Sequence, residues 1–404
     1  MRIPLLLALL ALSLSAAEKK VITPAGGPPP VGPYSPGILV GDYLYVSGQG
    51  AAKPDGTFPA TADEQTAQCL ANIRRIVEAA GLTMEHIVYA QVYLKDIGAA
   101  AEMERAWRKA FPSNPPARAV LGVHKMPTDT PVEITVVALR ELARKRAIHP
   151  SGFPADAPAA PGIATGDRLY ISGFSGRDPR SGQTPAEPAA QVTQALDLMG
   201  EVLKAAGLDF RHMVFVNPYL TDKMPMGVMN RAYATKFEFG NTPARATIQV
   251  AALPDGAAIE FTGVAVLDLS KRQAVRPKNM SPSATASPCV LANDTYYCSA
   301  KSGFIPGPNG GVYASTVETQ VRQTMRNLLD GLEEAGMSLS DVVATNVYLD
   351  DIEDFSRMNK VYGSYFKGTP PTRTTIQQIA AGERKADANE RWPTLEQVSL
   401  IAVK

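Results

Sequence analysis

The chain has few of the residues that build metal centres and disulfide-rich scaffolds. Its 404 residues include 3 cysteines and 4 histidines, too few for a zinc array or a disulfide-dense fold. Forty basic and 39 acidic side chains leave a net charge of +1, so composition gives no support for binding nucleic acids or anionic lipids by charge. Aromatic residues make up only 7%, but the 45% of hydrophobic residues suffices for real cores. The length predicts roughly two to four domains.

Long apolar runs are also absent, apart from one at the N-terminus. Arg2 precedes an apolar stretch over residues 3–14, which is followed by small residues at 15–17 and charged residues at 18–20. This order is typical of a secretory signal peptide, and the stretch is shorter than the roughly 20 residues that span a bilayer. We predict a signal peptide over residues 1–17 and an exported, periplasmic or secreted protein without membrane association after cleavage. The alternative is a buried N-terminal helix.

One pattern occurs three times along the rest of the chain. Four landmarks keep the same order in each copy, and the last of them is an arginine that follows a proline-rich turn. These arginines are Arg118, Arg245 and Arg373, spaced by 127 and 128 residues. A period of this size is that of a whole domain rather than of a solenoid turn. We therefore predict domains at 18–145, 146–272 and 273–404, the third being divergent.

Each copy predicts the same succession of elements. A hairpin with a two-residue turn comes first, followed by an amphipathic helix, a strand, a second helix and two further strands. The order ββαβαββ, with both helices on one sheet face, predicts an α+β fold. Polar, proline-containing segments near 143–152 and 270–283 are predicted to be linkers.

Three short motifs carry a resemblance to a known family. GPYSPG at residues 32–37 precedes the first hairpin, VSGQ at 46–49 ends it, and a PAR motif is followed 15 residues later by a glutamate. Together they resemble the RidA/YjgF family of reactive intermediate deaminases. The resemblance implies a chorismate mutase-like fold, trimeric assembly and a site at each subunit interface. One chain with three copies would then form an intramolecular pseudo-trimer, which we expect to be monomeric.

The resemblance also implies a reaction. Members of the family hydrolyse 2-imino or enamino acids to 2-keto acids and ammonia, with no cofactor and no metal. A small-molecule carboxylate is therefore the expected partner, and nucleic acid is not. The alternatives are a non-catalytic protein that binds small carboxylates, and a chaperone-like exported protein.

The chemistry of this reaction points to arginine and glutamate. The planar fork of an arginine matches a carboxylate, which makes Arg118, Arg245 and Arg373 candidates for holding the substrate. Glu133 and Glu260 each lie in an otherwise apolar strand, and a positioned carboxylate can activate water and move protons. We predict catalytic roles for Glu133, Glu260, Arg118 and Arg245, and substrate binding by Arg373.

The spacing within each copy separates the two groups. If the last two strands of a copy pair with each other, Glu133 lies opposite Lys125 and Glu260 opposite Ala251. Arginine and glutamate of one copy are then roughly 20 Å apart. We therefore expect the arginine of one domain to meet the glutamate of its neighbour in an inter-domain cleft. A purely structural ion pair is the alternative.

Five further residues are candidates for the pocket. Ser47 and Ser172 can offer hydroxyl groups to a carboxylate, although they could equally end a strand. Tyr34, Asn230 and Asn359 match pocket residues that the resemblance implies, with packing, capping or solvated roles as the alternatives.

The copies depart from the pattern in different places. Glu104 replaces the asparagine in copy one, and Ala159 and Ala286 replace the tyrosine in copies two and three. Copy three also carries an insertion at 381–393, after which either Glu396 or Gln397 holds the position of the acid. Unequal copies predict unequal clefts.

Two of the three cysteines lie on a predicted hairpin. With a turn at residues 293–294, Cys289 faces Cys298 at a non-hydrogen-bonded pair of strand residues. A cross-strand disulfide is predicted, with two reduced core cysteines as the alternative. Cys69 falls on the apolar face of the first helix and is predicted to lie in the core.

Overall fold

The computed structural model describes residues 18–278, 280–307, 310–380 and 382–404. Within these residues, three mixed sheets each carry two α-helices, one sheet for each sequence repeat, so the predicted α+β class is confirmed. The predicted signal peptide lies outside the described residues. No described helix is both long enough and apolar enough to cross a membrane.

The first repeat forms a six-stranded sheet in the order β1-β2-β3-β6-β4-β5. Its elements are β1 (Lys20–Ile22), β2 (Gly37–Val40), β3 (Tyr43–Gly50), α1 (Ala62–Ala79), β4 (Ile87–Leu94), α2 (Ala100–Ala110), β5 (Ala117–Gly122) and β6 (Val132–Leu139). Only β4 and β5 run parallel to each other.

The second and third repeats have the same topology, except that the last parallel strand of the second is split in two. The second repeat contains β7 (Arg146–Ile148), β8 (Gly162–Ala164), β9 (Arg168–Phe174), α3 (Pro188–Ala205), β10 (Met213–Leu220), α4 (Met226–Ala234), β11 (Ala244–Arg245), β12 (Ile248–Gln249) and β13 (Ile259–Val266). The third contains β14 (Arg272–Val275), β15 (Cys289–Ala292), β16 (Thr295–Ser302), α5 (Val317–Glu334), β17 (Val342–Leu349), α6 (Phe355–Gly363), β18 (Thr372–Gln377) and β19 (Glu396–Val403).

Local sequence signals explain where the elements begin and end. Thr61 and Glu64 form a reciprocal capping box at the start of α1, and Gly81 follows that helix with a φ of +77°. Asn293, the first residue of the β15–β16 turn, has a φ of +56°, a value that asparagine tolerates better than most residues.

One predicted pairing is wrong, because the last two strands of a repeat do not form a hairpin. β5 pairs in parallel with β4 at the sheet edge, whereas β6 inserts between β3 and β4. Glu133 therefore lies opposite Gly50 and Tyr93 rather than Lys125, and Glu260 lies opposite Tyr219 rather than Ala251. The nearly continuous apolar sequence of β6 suits a central strand with both faces covered.

The predicted linkers are also partly wrong. Residues 146–148 form β7 and residues 272–275 form β14, each of which pairs with the hairpin of its own repeat. β1 does the same in the first repeat. These edge strands have three or four residues, too few for a periodic pattern to identify them in the sequence.

The three sheets face one another at the centre of the molecule. Along β3, Tyr43 and Tyr45 enter a central apolar cluster that draws residues from all three repeats, whereas Leu44 and Val46 pack beneath α1. The strand alternation thus separates a helix-covered face from an inter-domain face. The sheets are arranged as an intramolecular pseudo-trimer.

The predicted disulfide is confirmed. Cys289 lies opposite Cys298 in the β15–β16 register, the Cα atoms are 4.0 Å apart, and the two sulfur atoms are bonded. Cys69 is a buried free thiol on the inner face of α1, as predicted.

Candidate functional site

Each of the three arginines is fixed at a seam between two domains. The backbone N–H of Arg373 donates to Ser47 Oγ over 2.8 Å. Arg118 and Arg245 make the same bond to Ser172 and Ser299, also over 2.8 Å. Domain 1 is thereby joined to domain 2, domain 2 to domain 3, and domain 3 back to domain 1. We call the resulting sites the 1/2 cleft (Arg118), the 2/3 cleft (Arg245) and the 3/1 cleft (Arg373).

The seam serines use their hydroxyl groups within the protein. Ser47 Oγ donates to the carbonyl of Ser35 over 2.7 Å while accepting from Arg373. Ser172 Oγ donates to Ala160 over 2.6 Å in the same way. Both serines are buried. This arrangement lets Ser47 and Ser172 position the arginine strand and leaves their hydroxyl protons engaged.

The acids predicted to be catalytic face the arginine of the preceding domain. Burial raises the pKa of the Glu133 carboxyl to about 8, and the nearby Arg373 guanidinium opposes the rise. Burial likewise raises the pKa of Glu260 to about 8, opposed by Arg118. The expectation that arginine and glutamate come from different domains agrees with this arrangement, although the hairpin from which it was argued does not exist.

Glycine makes room for each of these carboxylates. A Cβ added to Gly48 would overlap Glu133, and one added to Gly173 would overlap Glu260. The VSG and ISG motifs therefore have a steric reason, since the acid occupies the space above the glycine. In the third repeat the same position holds Ala300.

The strand register decides which residue of the third repeat holds the position of the acid. Glu133 and Glu260 pair with Tyr93 and Tyr219, and the corresponding Tyr348 pairs with Gln397. Glu396 accepts a hydrogen bond from Thr324 on α5, on the side of the sheet that the helices cover. The 2/3 cleft thus combines Arg245 with Gln397 and Ala300, so that both the carboxylate and the space for it are missing.

The 1/2 cleft retains its acid but has an occupied arginine. Arg118 forms a salt bridge with Glu104 and lies over the Trp107 ring, 4.6 Å from its centroid. Glu104 stands where the other repeats have Asn230 and Asn359. The Arg118 guanidinium is therefore paired with a carboxylate from the chain itself.

The 2/3 cleft has an arginine paired only with neutral groups among the described residues. Arg245 Nη1 donates to Asn230 Oδ1 over 2.8 Å, and the guanidinium lies 5.1 Å from the Tyr233 ring centroid.

Of the three clefts, only the 3/1 cleft brings together an arginine, an acid, a tyrosine, a serine and an asparagine that were all predicted for the site. The Arg373 guanidinium lies among the rings of Tyr34, Phe355 and Tyr362, with centroids 5.0–5.4 Å from its carbon. Both of its terminal nitrogens, and Asn359 Oδ1, are buried without a hydrogen-bond partner among the described residues. Buried donors of this kind normally have partners, and none of the described residues supplies one for these nitrogens.

Two sets of residues escaped prediction. The rings over the arginines, Trp107, Tyr233 and Tyr362, come 11 or 12 residues before Arg118, Arg245 and Arg373, and comparison of the repeats would have revealed them. Comparison of the repeats would not have revealed Phe355, which contacts the Arg373 guanidinium from the first turn of α6. Among the described residues, no group of three or more His, Cys, Asp or Glu side chains is placed to hold a metal ion.

A family model described as Endoribonuclease L-PSP matches residues 26–140, 153–267 and 277–386. The chain therefore belongs to this family and contains its unit three times. It is similar to the 2-iminobutanoate/2-iminopropanoate deaminase of Rattus norvegicus, with 44% identity over 124 residues, 30% of this chain and 90% of that protein. A RutC family protein of Saccharolobus solfataricus is 40% identical over 122 residues, 30% of this chain and 97% of that protein.

Solved structures match single repeats. The YjgF gene product of E. coli covers 30% of this chain and 99% of its own, at 33% identity and a TM-score of 0.29. The resemblance to the RidA/YjgF family is confirmed by the family model and by the deaminase and RutC family relatives.

Proposed function

We propose that the protein hydrolyses 2-imino acids to 2-keto acids and ammonia, and that the 3/1 cleft carries out this reaction. The observation that carries the proposal is the buried Arg373 guanidinium, which has two nitrogens without a partner among the described residues and lies near a buried carboxyl group, Glu133. The imine deaminase activity in the names of the similar mammalian proteins supports the same chemistry.

The proposed mechanism begins with the carboxylate of the substrate. Arg373 binds it through two parallel hydrogen bonds, which places C2 of the imine beside Glu133. Because its pKa is raised to about 8, Glu133 is mostly protonated at pH 7 and can donate its proton to the imine nitrogen.

The rest of the reaction uses the same carboxyl group. Ionised Glu133 removes a proton from water as the oxygen bonds to C2, and a carbinolamine forms. Glu133 then returns this proton to the nitrogen. The C–N bond breaks as the carbinolamine hydroxyl gives its proton to Glu133, which is thereby protonated again, and the keto acid and ammonia leave. Tyr34 and Asn359 border the guanidinium and are proposed to orient the substrate.

Turnover of 2-iminobutanoate, formed in situ, tests the proposal. We expect Glu133→Gln to lower kcat/KM by about 10²–10⁴-fold, and Arg373→Ala to lower it by about 10²-fold or more. In the wild type, kcat/KM should decline as the pH rises above about 8.

The corresponding Arg118→Ala and Arg245→Ala variants report on the other two clefts. Much smaller losses are expected there, because one arginine already has a carboxylate and the other has no acid opposite it. Retention of full turnover by both Glu133→Gln and Arg373→Ala would refute the assignment of the reaction to the 3/1 cleft. Carboxylate binding without turnover in the wild type would instead favour a non-catalytic binding protein.

A further inference from the structure

The 3/1 cleft opens into a cavity much larger than a small imino acid requires. Its volume is about 510 Å³, within the range of pockets that enclose drug-sized ligands. A four-carbon imino acid held by Arg373 would fill only a small part of it. The remaining space lies beside residues to which the proposed mechanism gives no role.

The walls of this space are uncharged and largely apolar, and Gln49, Asn72 and several threonines form their polar part. Among the described residues that line the cavity, Arg373 and Glu133 carry the only charges. The apolar part of the wall comes from the segment 28–31, from Phe58 and Ile76 of domain 1, and from Phe355 of domain 3. A charged side chain placed here would lose hydration without gaining an ion pair.

Exposure defines an inner end and an outer rim. Arg373 and Glu133 are 4% and 6% exposed, whereas Val31 and Phe58 are 47% and 37% exposed. With the carboxylate on Arg373 and C2 at Glu133, this rim offers space for the side chain of a substrate. Exposed large apolar side chains at the mouth of a pocket are typical of ligand-binding surfaces.

The apolar rim belongs to the same cleft as the complete arginine–glutamate pair. The counterparts of Val31 in the other repeats, counted back from the proline whose carbonyl accepts from the seam serine, are Asp156 and Ser283. The two clefts with an occupied arginine or a missing acid therefore have a polar residue where the 3/1 cleft has valine.

We propose that the 3/1 cleft prefers 2-imino acids with large uncharged side chains, aromatic or long aliphatic, over 2-iminopropanoate and 2-iminobutanoate. This inference rests on the proposed function. The reaction is unchanged: one water adds across C=N, a C–O bond forms, the C–N bond breaks, and the nitrogen leaves as ammonia.

The test compares two imines made in the same way. 2-Imino-3-phenylpropanoate and 2-iminobutanoate are formed from phenylalanine and 2-aminobutanoate by an amino-acid oxidase with catalase present. Hydrolysis is followed as the loss of trapping by semicarbazide. We expect kcat/KM to be at least ~10-fold higher for the phenyl compound, since added apolar groups in a fitted pocket give differences of this order or more. Equal or faster hydrolysis of 2-iminobutanoate would overturn the preference.

A binding measurement separates this inference from the proposed function. If neither imine is hydrolysed, the proposed function fails. The size preference is then read from the dissociation constants of phenylpyruvate and 2-oxobutanoate, measured by calorimetry. Tighter binding of phenylpyruvate would support the preference, and equal or weaker binding would overturn it.

A matched pair of variants tests whether the rim determines specificity. Phe58→Ser should reduce the ratio of the two kcat/KM values by about 10-fold. Phe239→Ser is the control, because Phe239 is 66% exposed and does not line the cavity. An unchanged ratio in Phe58→Ser, or an equal fall in both variants, would overturn the assignment of specificity to this rim.

Discussion

At the scale of single residues, three buried glutamates have different surroundings but the same perturbed acidity. Glu133 and Glu260 face arginines across a seam, whereas Glu396 accepts from Thr324 beneath α5. Burial raises the pKa of the Glu396 carboxyl to about 8, as it does for the other two. A raised pKa therefore does not identify a catalytic acid by itself, and the geometry of the cleft must distinguish Glu133 from Glu396.

This difference leads to a paired prediction for Glu396→Gln and Glu133→Gln. In the unfolded chain a glutamate ionises near pH 4.5, whereas in the folded protein these two ionise near pH 8. Each therefore contributes stability below pH 4.5 that is lost as the pH rises to about 8. At about 1.4 kcal/mol per pKa unit, the loss is on the order of several kcal/mol.

Replacement by glutamine removes that loss. The free energy of unfolding of each variant, relative to wild type and measured with urea, should rise by several kcal/mol between pH 5 and pH 8. Glu396→Gln should retain turnover, while Glu133→Gln should lose it. Equal losses of turnover in the two variants would contradict the proposed roles.

A single side chain also separates the 1/2 cleft from the 3/1 cleft. Glu104 neutralises Arg118, and the corresponding residue of domain 3 is Asn359. In an Arg373→Ala background, Glu104→Asn should free Arg118 and create a new site for a small carboxylate such as 2-oxobutanoate. Calorimetry of the double variant would measure it. Failure to bind above the level of Arg373→Ala alone would show that Glu104 does not block this cleft.

At the scale of elements, the clefts depend on how the end of one strand meets the start of another. The end of β3 supplies Ser47 and Gly48, while the start of β18 supplies Arg373, and the Ser47 hydroxyl links the two. The same contact joins β9 to β5 and β16 to β11. The seam thus repeats one contact between a serine hydroxyl and a backbone N–H, and the side chains around this contact differ between the clefts.

Ser47→Ala and its counterpart Ser299→Ala test the function of this contact. Each removes a buried hydroxyl that both donates and accepts, which should lower the free energy of unfolding by about 1–3 kcal/mol. Only Ser47→Ala should also lower kcat/KM, because it loosens the strand that carries Arg373. An equal effect of both variants on turnover would contradict a positioning role for Ser47.

Sequence patterns predicted these elements unequally well. Strands such as β4 and β17 occur at their predicted place in the succession of elements, because alternation and β-branched residues mark them clearly. The pairing of β5 with β4 rather than β6 was missed, because strands that are neighbours in the sequence are the usual pairing partners. The sequence of a single strand does not indicate which other strand it pairs with. Similarly, Glu104 was recognised as a departure from the pattern, but its salt bridge with Arg118 depends on the position of α2 relative to β5.

At the scale of the whole molecule, the centre is built from unequal parts. Tyr45, Tyr170 and Tyr297 are equivalent in the three repeats and all enter the central cluster. The repeats differ at the position two residues before these tyrosines, where only the second repeat has an arginine, Arg168. Arg168 is 2% exposed, lies 4.1 Å from the Tyr43 ring centroid, and donates to the Tyr297 hydroxyl over 2.9 Å. One buried cation therefore contacts all three domains.

Arg168 gives a test of how far the three domains depend on one another. Its guanidinium also forms a salt bridge with Asp167. Arg168→Met therefore removes the cation beside a partly buried carboxylate, which retains hydrogen bonds from the Tyr43 and Thr165 hydroxyls, and it removes the donor to the Tyr297 hydroxyl. Removing one member of a buried pair typically costs about 3–5 kcal/mol. The lower end applies here, because the Asp167 side chain retains some exposure.

We expect urea unfolding of Arg168→Met to show a loss of about 3 kcal/mol. Arg180→Met is the matched control, since Arg180 pairs with Asp178 and Glu201 at a site that is 42% exposed, where a loss of no more than about 1 kcal/mol is expected. Because the central cluster is shared, the wild type should unfold in one transition that all three domains follow. Separate transitions in the wild type, or equal losses in the two variants, would show that the domains are stabilised independently of the centre.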